Sequence, residues 1–298
     1  MSEFKSGFVS IIGRTNVGKS TLLNNLIKED VSITANKPQT TRNKILGIKN
    51  GEDYQIVFVD TPGIYNGTSG LAKYLQKSTE SAQNDVDAIM ILLDATKINN
   101  FDFELIEKYR ESKIPVFVVV NKVDISSYEK LYPILAKLND FQFVKQFVVI
   151  SALKKRNLEE IDRAVLSVLP EGPAYYPRDQ YTDKNFRFMT AEIIREKALL
   201  FLQEEIPHGI AVEIETYKET KTLVKIGASI ICESERHKQI IIGAHGSMLK
   251  KIGTSAREDI ERLTGEKVLL ELFVKVREGW KQDKNALEEF GYNIKDIG

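Results

Sequence analysis

At 298 residues the chain is long enough for two domains that each bury a core, and its 42% hydrophobic and 28% charged residues are typical of a globular protein. Equal numbers of basic and acidic side chains, 42 of each, give a formal net charge of zero and argue against indiscriminate polyanion binding. A single cysteine excludes an internal disulfide, and no apolar run approaches the ~20 residues of a membrane-spanning helix, so we expect a cytosolic protein.

Strand-like and helix-like stretches alternate over the first 170 residues or so. Helical spacing of apolar residues recurs at Leu22, Leu23 and Leu26, and again from Leu158 to Leu169. Short β-branched runs predict strands at 8–12, 56–59, 88–93, 116–120 and 147–150. Alternation of this kind predicts a mostly parallel sheet with helices on both faces, and such sheets bind ligands at the carboxyl ends of their strands.

The pattern changes after residue 170. Three of the eight prolines lie between residues 170 and 177, which predicts a semi-rigid linker. Beyond it we predict a helix at 189–203, strands at 211–219 and 223–233, a strand at 240–242, a glycine turn, a helix and a last strand at 268–276. The predicted domains are therefore 1–170, a linker at 171–184, and an α+β domain at 185–298.

The first motif lies between a predicted strand and a predicted helix and reads GRTNVGKS, which matches the phosphate-binding P-loop pattern. Its glycines allow backbone N–H groups to turn toward phosphates at the positive end of the helix dipole. Lys19 is expected to reach the β- and γ-phosphates and Ser20 to ligate Mg²⁺. The predicted nucleotide-binding residues here are Gly13, Arg14, Thr15, Asn16, Val17, Gly18, Lys19, Ser20 and Thr21.

A second motif, Asp60-Thr61-Pro62-Gly63, follows the next buried strand, although an ordinary turn would explain these residues equally well if they stood alone. Asp60 is expected to hold Mg²⁺ and the Gly63 N–H to sense the γ-phosphate. Between the two motifs, Thr41 is predicted to complete the Mg²⁺ shell, with Thr40 as the alternative and a solvated loop as the plainer interpretation. The predicted metal ligands are Ser20, Thr41 and Asp60, and the predicted catalytic residues are Lys19, Thr41 and Gly63.

Guanine selection is predicted from two further motifs, Asn121-Lys122-Val123-Asp124 after the strand at 116–120 and Ser151-Ala152-Leu153 after the strand at 147–150. Asp124 can accept hydrogen bonds from the two adjacent donors of guanine, which adenine lacks. Four motifs in this order predict a guanine-nucleotide site that also contains Thr61, Pro62, Asn121, Lys122, Asp124, Ser151, Ala152 and Leu153.

The residue after the DTPG glycine bears on the rate of hydrolysis. Where Ras-type enzymes place a glutamine, this chain has Ile64, so slow intrinsic hydrolysis is expected.

The second predicted domain contains the pattern G-x-x-G, which is typical of the loop that clamps single-stranded RNA in KH domains. The pattern alone is weak, because a plain strand–helix turn can have the same residues. From 237 to 281, nine basic and six acidic residues give a local charge of +3 in a neutral chain. The predicted RNA-binding residues are Ile242, Gly243, Ala244, His245, Gly246, Lys250 and Lys251.

Taken together, the chain resembles the bacterial Era GTPases over almost its whole length. The resemblance rests on GRTNVGKS, PQTTR, DTPG, NKVD and SAL, and then on FMTAEIIREK, IIIGAHGSMLKKIGTSARED and KVREGW followed by ALEEFGY. It implies a Ras-like α/β P-loop GTPase domain with a mostly parallel sheet, followed by an α+β type II KH domain. It further implies binding near the 3′ end of 16S ribosomal RNA and a role in small-subunit assembly.

The same resemblance implies a peripheral fraction at the inner face of the cell membrane, and we also expect a cytoplasmic monomer. Asn16 matches a position linked in related GTPases to potassium-stimulated hydrolysis, which adds K⁺ as a second candidate cofactor. Two departures from the family pattern are Thr15, in place of a proline, and a Gly-Ala-His-Gly loop without the usual lysine.

Two other functions stay open at this point. A membrane-associated signalling GTPase could use its KH-like domain mainly to bind proteins. A tRNA-modification GTPase would need a folate-binding or cysteine-bearing catalytic segment, and this chain has neither.

Overall fold

A computed structural model describes residues 3–35, 37, 39–64 and 67–293. Nine helices and nine strands lie in those ranges, together with three short 3₁₀ turns. In chain order they are β1 Lys5–Ile12, α1 Lys19–Ile27, β2 Ile45–Asn50, β3 Tyr54–Asp60, α2 Gly70–Ser81, β4 Ala88–Asp94, α3 Asn100–Glu107, β5 Val116–Asn121, α4 Tyr128–Leu138, β6 Gln146–Val149, α5 Leu158–Leu166, α6 Phe186–Phe201, β7 Ala211–Glu219, β8 Val224–Cys232, α7 Glu235–Ile242, α8 Ser247–Thr264, β9 Val268–Val276 and α9 Lys284–Glu289.

The first six strands form one sheet in the order β2-β3-β1-β4-β5-β6. All neighbours are parallel except β2 and β3, which are antiparallel. Every residue of β4 and β5 is buried, since both faces of a parallel sheet are covered by helices. The five predicted strands of this sheet are confirmed. The edge strand β2 is not among the predictions, because its run is short and interrupted by Gly47.

Alternate residues of the central strands enter two separate cores. Met90 and Leu92 pack toward α1 and α5, whereas Ile89, Ile91 and Leu93 pack toward α3 and α4. Because both faces are filled, the carboxyl ends of the strands are where ligands can approach.

The last three strands form a second sheet in the order β7-β8-β9, with β7 antiparallel and β9 parallel to β8. The order helix-strand-strand-helix-helix-strand confirms the predicted α+β type II KH domain. Its core is built around Ile194, Ile230, Ile252, Ala256 and Ile260. The predicted strands at 211–219, 223–233 and 268–276 are all present.

The predicted strand at 240–242 is wrong, since these residues end helix α7. The Ser234 side chain caps this helix by accepting from the His237 N–H at 3.2 Å. Of the three isoleucines only Ile241 is fully buried, and Ile240 is 41% exposed, which is the one-sided burial of a helix. The strand was predicted from three consecutive β-branched residues, and the helix-capping serine six positions before them was not taken into account.

Internal contacts divide the chain into two units whose limits differ from those of the predicted domains. The first contains the described residues of 1–32, 41–66 and 75–183, and the second contains those of 33–40, 67–74 and 184–298. Residues 171–183, predicted as linker, are grouped with the first unit, where Gln55 Oε1 accepts from the Tyr175 and Tyr176 N–H groups. Residues 1–2 and 294–298 of the predicted domains lie outside the described residues.

Candidate nucleotide site and RNA-binding groove

The loop that joins β1 to α1 has a backbone that requires glycine at both ends. Gly13 has a φ of 153°, and a Cβ there would lie 2.5 Å from the carbonyl oxygen of Leu92. Gly18 has a φ of 104°, and a Cβ there would clash with the side-chain amide of Asn121. Asn16 is also left-handed, at a φ of 62°. A tight loop directly before a helix N-terminus is an anion-binding arrangement.

Lys19, the first residue of α1, lies over this loop. Its Nζ donates to the carbonyl oxygens of Gly13 at 3.3 Å and Arg14 at 3.1 Å. Burial lowers the pKa of Lys19 to about 8, and the Asp60 carboxylate opposes that shift. The buried ammonium is therefore placed at the phosphate-binding loop, where an anion would favour its charged form.

The Arg14 side chain points toward α3. Its Nε donates to Asp102 Oδ1 at 2.7 Å, and its Nη2 donates to the Lys97 carbonyl oxygen at 2.5 Å. Asp102 also accepts from the Asn99 N–H at 3.0 Å in a capping box. Any contribution of Arg14 to nucleotide binding thus falls to its backbone. Asp102 is absent from the predicted site residues. A capping pattern shows where a helix begins, but it does not show that the capping carboxylate also binds a distant side chain such as Arg14.

The three predicted metal ligands lie together. Ser20 Oγ donates to Asp60 Oδ2 at 2.8 Å, and the hydroxyl oxygens of Ser20 and Thr41 are 2.7 Å apart. Ser32 Oγ also donates to Asp60 Oδ2, at 3.1 Å. Burial raises the pKa of Asp60, although the nearby Lys19 ammonium opposes the shift.

These residues fit a magnesium ion. Asp60 Oδ1 is buried and has no hydrogen-bond partner among the described residues. A buried carboxylate oxygen without a donor, beside two hydroxyl oxygens, is the oxygen-rich surrounding that Mg²⁺ prefers. The structure thus brings Ser20, Thr41 and Asp60 to one point, where an ion would satisfy the unpaired oxygen.

The neighbouring threonine is engaged elsewhere. Thr40 Oγ1 donates to the carbonyl oxygens of Ala35 at 3.0 Å and Lys37 at 2.6 Å. Of the two predicted alternatives, the geometry favours Thr41 as the ligand. Pro38, in the same predicted loop, lies outside the described residues.

The two middle residues of the DTPG motif face the protein interior. Thr61 Oγ1 donates to the carbonyl oxygen of Ile11 in β1 at 2.9 Å. The Pro62 carbonyl oxygen accepts from Thr79 Oγ1 in α2 at 3.1 Å. These contacts shape the turn after β3, and the predicted nucleotide contacts of both residues stay predictions.

Gly63, by contrast, lies directly against the P-loop. A Cβ on Gly63 would come within 2.8 Å of the Thr15 backbone nitrogen. The following residue, Ile64, donates its N–H to the Gly13 carbonyl oxygen at 3.2 Å. The Gly63 N–H is therefore held close to the loop where the γ-phosphate is expected.

One asparagine joins the base-binding loop to two other motifs. Asn121 Nδ2 donates to the Val17 carbonyl oxygen at 2.9 Å, and its Oδ1 accepts from the Ala152 N–H at 2.8 Å. Ser151 Oγ donates to Asp124 Oδ1 at 2.6 Å. The predicted guanine-binding carboxylate is thus oriented by the motif after β6.

The Lys122 ammonium is held by two acceptors, one in the P-loop and one at the end of β4. Its Nζ donates to the Asn16 carbonyl oxygen at 2.6 Å and to Asp94 Oδ2 at 2.7 Å. Burial raises the pKa of Asp94, but hydrogen bonds from Lys122 and Thr96 outweigh it, so the net pKa lies below the ordinary value. Leu153 stands 70% exposed beyond this loop. Asp94 was missed, although its place at the end of β4 was a usable signal.

Two asparagines of α1 were also missed. Asn25 Nδ2 donates to the carbonyl oxygens of Thr21 and Ala152, each at 3.0 Å. Asn24 Nδ2 donates to the Ser32 carbonyl oxygen at 2.7 Å. Adjacent amides inside an otherwise apolar helical run were the signal in the sequence.

In the second unit, the Gly-Ala-His-Gly loop joins α7 to α8. Gly243 has a φ of 72°, and a Cβ there would lie 2.8 Å from that of Met248. His245 and Gly246 are both left-handed, at φ values of 51° and 77°. Ala244 and His245 are exposed. The loop therefore presents its backbone at the N-terminus of an 18-residue helix, a position that attracts phosphate.

A groove of about 380 Å³ begins at this loop and runs between α8 and β9. Its floor is apolar, with Leu249, Leu270 and Leu272, and its basic side chains are Lys250 and Arg257. An apolar floor with basic side chains suits unstacked bases and a phosphate backbone. Arg257 is absent from the predictions.

Lys251 and Ile242 are placed differently from Lys250. The Lys251 ammonium lies 4.3 Å from the centre of the Phe201 ring on α6, and it does not line the groove. Ile242 is the last residue of α7 and is half-buried. Their predicted RNA contacts stay predictions.

Two family models match this chain. The model described as 50S ribosome-binding GTPase matches residues 8–122, and the KH domain model matches residues 205–281. GTPase Era from Clostridium kluyveri is 48% identical over 290 residues, which are 97% of this chain and 99% of the relative.

Two solved structures are similar over nearly the whole chain. An Aquifex aeolicus Era variant bound to GDP and AlF4⁻ has a TM-score of 0.93 and 38% identity, covering 97% of this chain and 100% of that one. An Era in complex with MgGDPNP and nucleotides 1506–1542 of 16S ribosomal RNA also has a TM-score of 0.93, at 39% identity, with coverages of 97% and 99%. With this degree of similarity across both domains, the chain belongs to the Era family and is a GTPase with a C-terminal KH domain.

Proposed function

We propose that this GTPase binds 16S ribosomal RNA near its 3′ end and acts in the assembly of the small ribosomal subunit. The observation that carries the proposal is the groove beside the Gly-Ala-His-Gly loop, with its apolar floor and basic side chains. Further support comes from the 39% identical Era whose structure contains nucleotides 1506–1542 of that RNA.

The groove has the parts that single-stranded RNA requires. Backbone N–H groups at the N-terminus of α8, together with Lys250 and Arg257, attract phosphates. Leu249, Leu270 and Leu272 offer an apolar surface for splayed bases. Duplex RNA hides its base faces, so a single strand is the expected ligand.

The proposal is tested by measuring the affinity of the full chain for a 3′-terminal 16S fragment and for a scrambled RNA of equal length. Arg257→Ala should weaken binding of the specific fragment about tenfold, whereas Lys218→Ala, on the exposed part of β7, should not. Equal affinity for both RNAs, together with capture of a protein by the KH unit, would instead favour the signalling GTPase.

For hydrolysis we propose that Ser20, Thr41 and Asp60 hold Mg²⁺. When bound, Mg²⁺ supplies positive charge near the phosphate oxygens where negative charge develops. The P-loop backbone and Lys19 bind and orient the phosphates, while Asp124, held by Ser151, binds the guanine edge.

Slow intrinsic hydrolysis is part of the proposal, because the Ile64 side chain cannot hydrogen-bond to the attacking water. Potassium is proposed as a second cofactor on the family resemblance of Asn16 alone. Comparing turnover in potassium and sodium salts at equal ionic strength tests this, and equal rates would remove the potassium proposal.

We also propose a cytoplasmic monomer and, on resemblance, a peripheral fraction at the inner face of the cell membrane. Among the described residues, no helix combines the length and hydrophobicity that crossing a bilayer requires. Light scattering tests the monomer, and membrane fractions washed with high salt test the peripheral association. A dimer, or no membrane fraction at low salt, would contradict these proposals.

A further inference from the structure

Arg195 lies in the middle of α6 and is almost completely buried. Its Nε donates to Glu192 Oε1 at 2.8 Å and its Nη2 donates to Glu192 Oε2 at 2.5 Å, one helical turn earlier. On a helix surface such a pair would be ordinary and weak. A buried guanidinium has five donors to satisfy, so one carboxylate does not account for its place in the structure.

Both terminal nitrogens of Arg195 also donate to a segment far away in the sequence. Its Nη1 donates to the Gln39 carbonyl oxygen at 3.3 Å, and its Nη2 donates to the Thr40 carbonyl oxygen. Residues 33–40 belong to the same structural unit as α6, so these contacts are internal to that unit.

Two further hydrogen bonds tie the same segment to α6 and the residue after it. The Thr34 N–H donates to Glu196 Oε1 at 2.7 Å. Lys37 Nζ donates to the Leu202 carbonyl oxygen at 2.8 Å. The described residues before Thr41 are therefore fixed at several points, and Arg195 holds the last two of them.

A peptide unit is planar, so the Thr40 carbonyl oxygen and the Thr41 nitrogen and Cα lie in one plane. A donor that fixes this oxygen also sets where the Thr41 side chain begins. The Thr41 hydroxyl lies 2.7 Å from that of Ser20, at the proposed magnesium site.

We propose that Arg195 is a positioning residue for GTP hydrolysis. It holds the peptide that precedes Thr41 so that the threonine hydroxyl can complete the Mg²⁺ shell in the GTP state. The inference rests on the proposed role of Thr41. Through Arg195, helix α6 of the KH domain thereby contributes to the preference for GTP over GDP without contacting the nucleotide.

The test is a double-mutant cycle in the full chain, with Arg195→Lys, Thr41→Ala and both together. Lysine keeps the charge and can pair with Glu192, but it lacks the planar fork that reaches two carbonyl oxygens. Readouts are the ratio of GTP to GDP affinity in Mg²⁺ and the Mg²⁺ concentration for half-maximal hydrolysis. Arg163→Lys is the matched control, since Arg163 forms the same i,i+3 pair with Glu160 on the exposed side of α5.

Arg195→Lys should lower the GTP-to-GDP affinity ratio about tenfold and raise the Mg²⁺ requirement, whereas Arg163→Lys should change neither. In the Thr41→Ala background Arg195→Lys should have no further effect on the ratio, because its influence passes through Thr41. Equal effects in both backgrounds would reduce Arg195 to a structural residue and overturn the proposal. No effect of Thr41→Ala alone would instead overturn the Thr41 ligand role.

Folding is checked independently. Trp280 is the only tryptophan, is fully buried in the second unit, and donates to the Gly209 carbonyl oxygen, so its fluorescence reports unfolding of that unit. If Arg195→Lys unfolds it, Glu192→Leu with Arg195→Met replaces the buried pair by apolar side chains and should restore folding. This folded variant should show the same tenfold loss, and an unchanged ratio in it would overturn the proposal.

Discussion

The side-chain nitrogen of Asn121 donates to the carbonyl oxygen of Val17 across 2.9 Å, which ties the strand β5 to the P-loop. The oxygen of the same amide accepts from the Ala152 N–H at 2.8 Å. A Cβ on Gly18 would clash with this amide, so the two loops are in direct contact. One side chain thereby holds the phosphate-binding and base-binding parts of the site together.

Asn121→Ala should weaken GTP and GDP binding to a similar extent. The change leaves a buried carbonyl oxygen and a buried N–H unpaired, at about 1–3 kcal/mol for each group. Because part of this cost also falls on the nucleotide-free protein, we expect about 1.4–2.8 kcal/mol to appear in binding, which is roughly ten- to hundredfold in affinity. Isothermal titration with both nucleotides measures this, and Asn139→Ala, at the exposed end of α4, is the control. Unchanged affinity would show that the amide does not organise the site.

Asp124→Asn should move base preference from guanine toward xanthine. The carboxylate can accept two hydrogen bonds from guanine, whereas an amide offers a donor to the C2 oxygen of xanthine. Ser151 Oγ donates to Asp124 Oδ1 at 2.6 Å and can still donate to an amide oxygen. Competition between GTP, XTP and ATP gives the answer, and a wild-type protein that binds ATP as tightly as GTP would contradict the guanine site.

Asp102→Asn should destabilise the first unit and weaken nucleotide binding. The carboxylate is fully buried and pairs with Arg14 of the P-loop, whose side chain is 24% exposed. Breaking a buried ion pair costs about 3–5 kcal/mol, and partial exposure of Arg14 brings our expectation to about 2 kcal/mol. Chemical denaturation and GTP titration measure both effects, with the exposed Asp140→Asn as control. If neither the stability of the first unit nor the GTP affinity changed, the role of Asp102 would be limited to capping α3.

His245→Lys should strengthen RNA binding and leave GTP affinity unchanged. The residue is exposed in the loop before α8, where an added positive charge meets the phosphate backbone. The slope of log affinity against log salt should steepen by about 1. Replacing Ala244 and His245 by Asp should weaken binding for the opposite reason. No response to either change would place the RNA away from this loop.

RNA should bind more tightly to the protein with a GTP analogue than with GDP. Residues 33–40, directly before Thr41, and Gly67–Tyr74, after the DTPG motif, belong structurally to the unit that contains the KH domain. Linkage then requires RNA to raise GTP affinity by the same factor. Both affinities are measured in a four-state cycle. Identical RNA affinity in both nucleotide states would mean that the two domains act independently.

Much of the nucleotide site could be predicted from sequence because its residues act locally. Glycines at positions 13 and 18 have positive φ, the four motifs each follow a strand of the first sheet, and parallel strand ends meet at one edge of a sheet. Each of these features depends on residues a few positions apart. Family, fold class and guanine-site motifs were therefore readable before any coordinates.

Only the tertiary structure decided which partners distant residues choose. It turned Arg14 toward Asp102, engaged Thr40 in its own loop and left Thr41 beside Ser20. The segment 240–242 ends a helix that the Ser234 side chain caps, and only one of its isoleucines is fully buried in the core. Arg195 reached carbonyl oxygens 155 and 156 positions away. Sequence patterns report backbone preference and burial at short range, whereas a hydrogen bond between distant segments exists only once the chain has folded and both groups have left water.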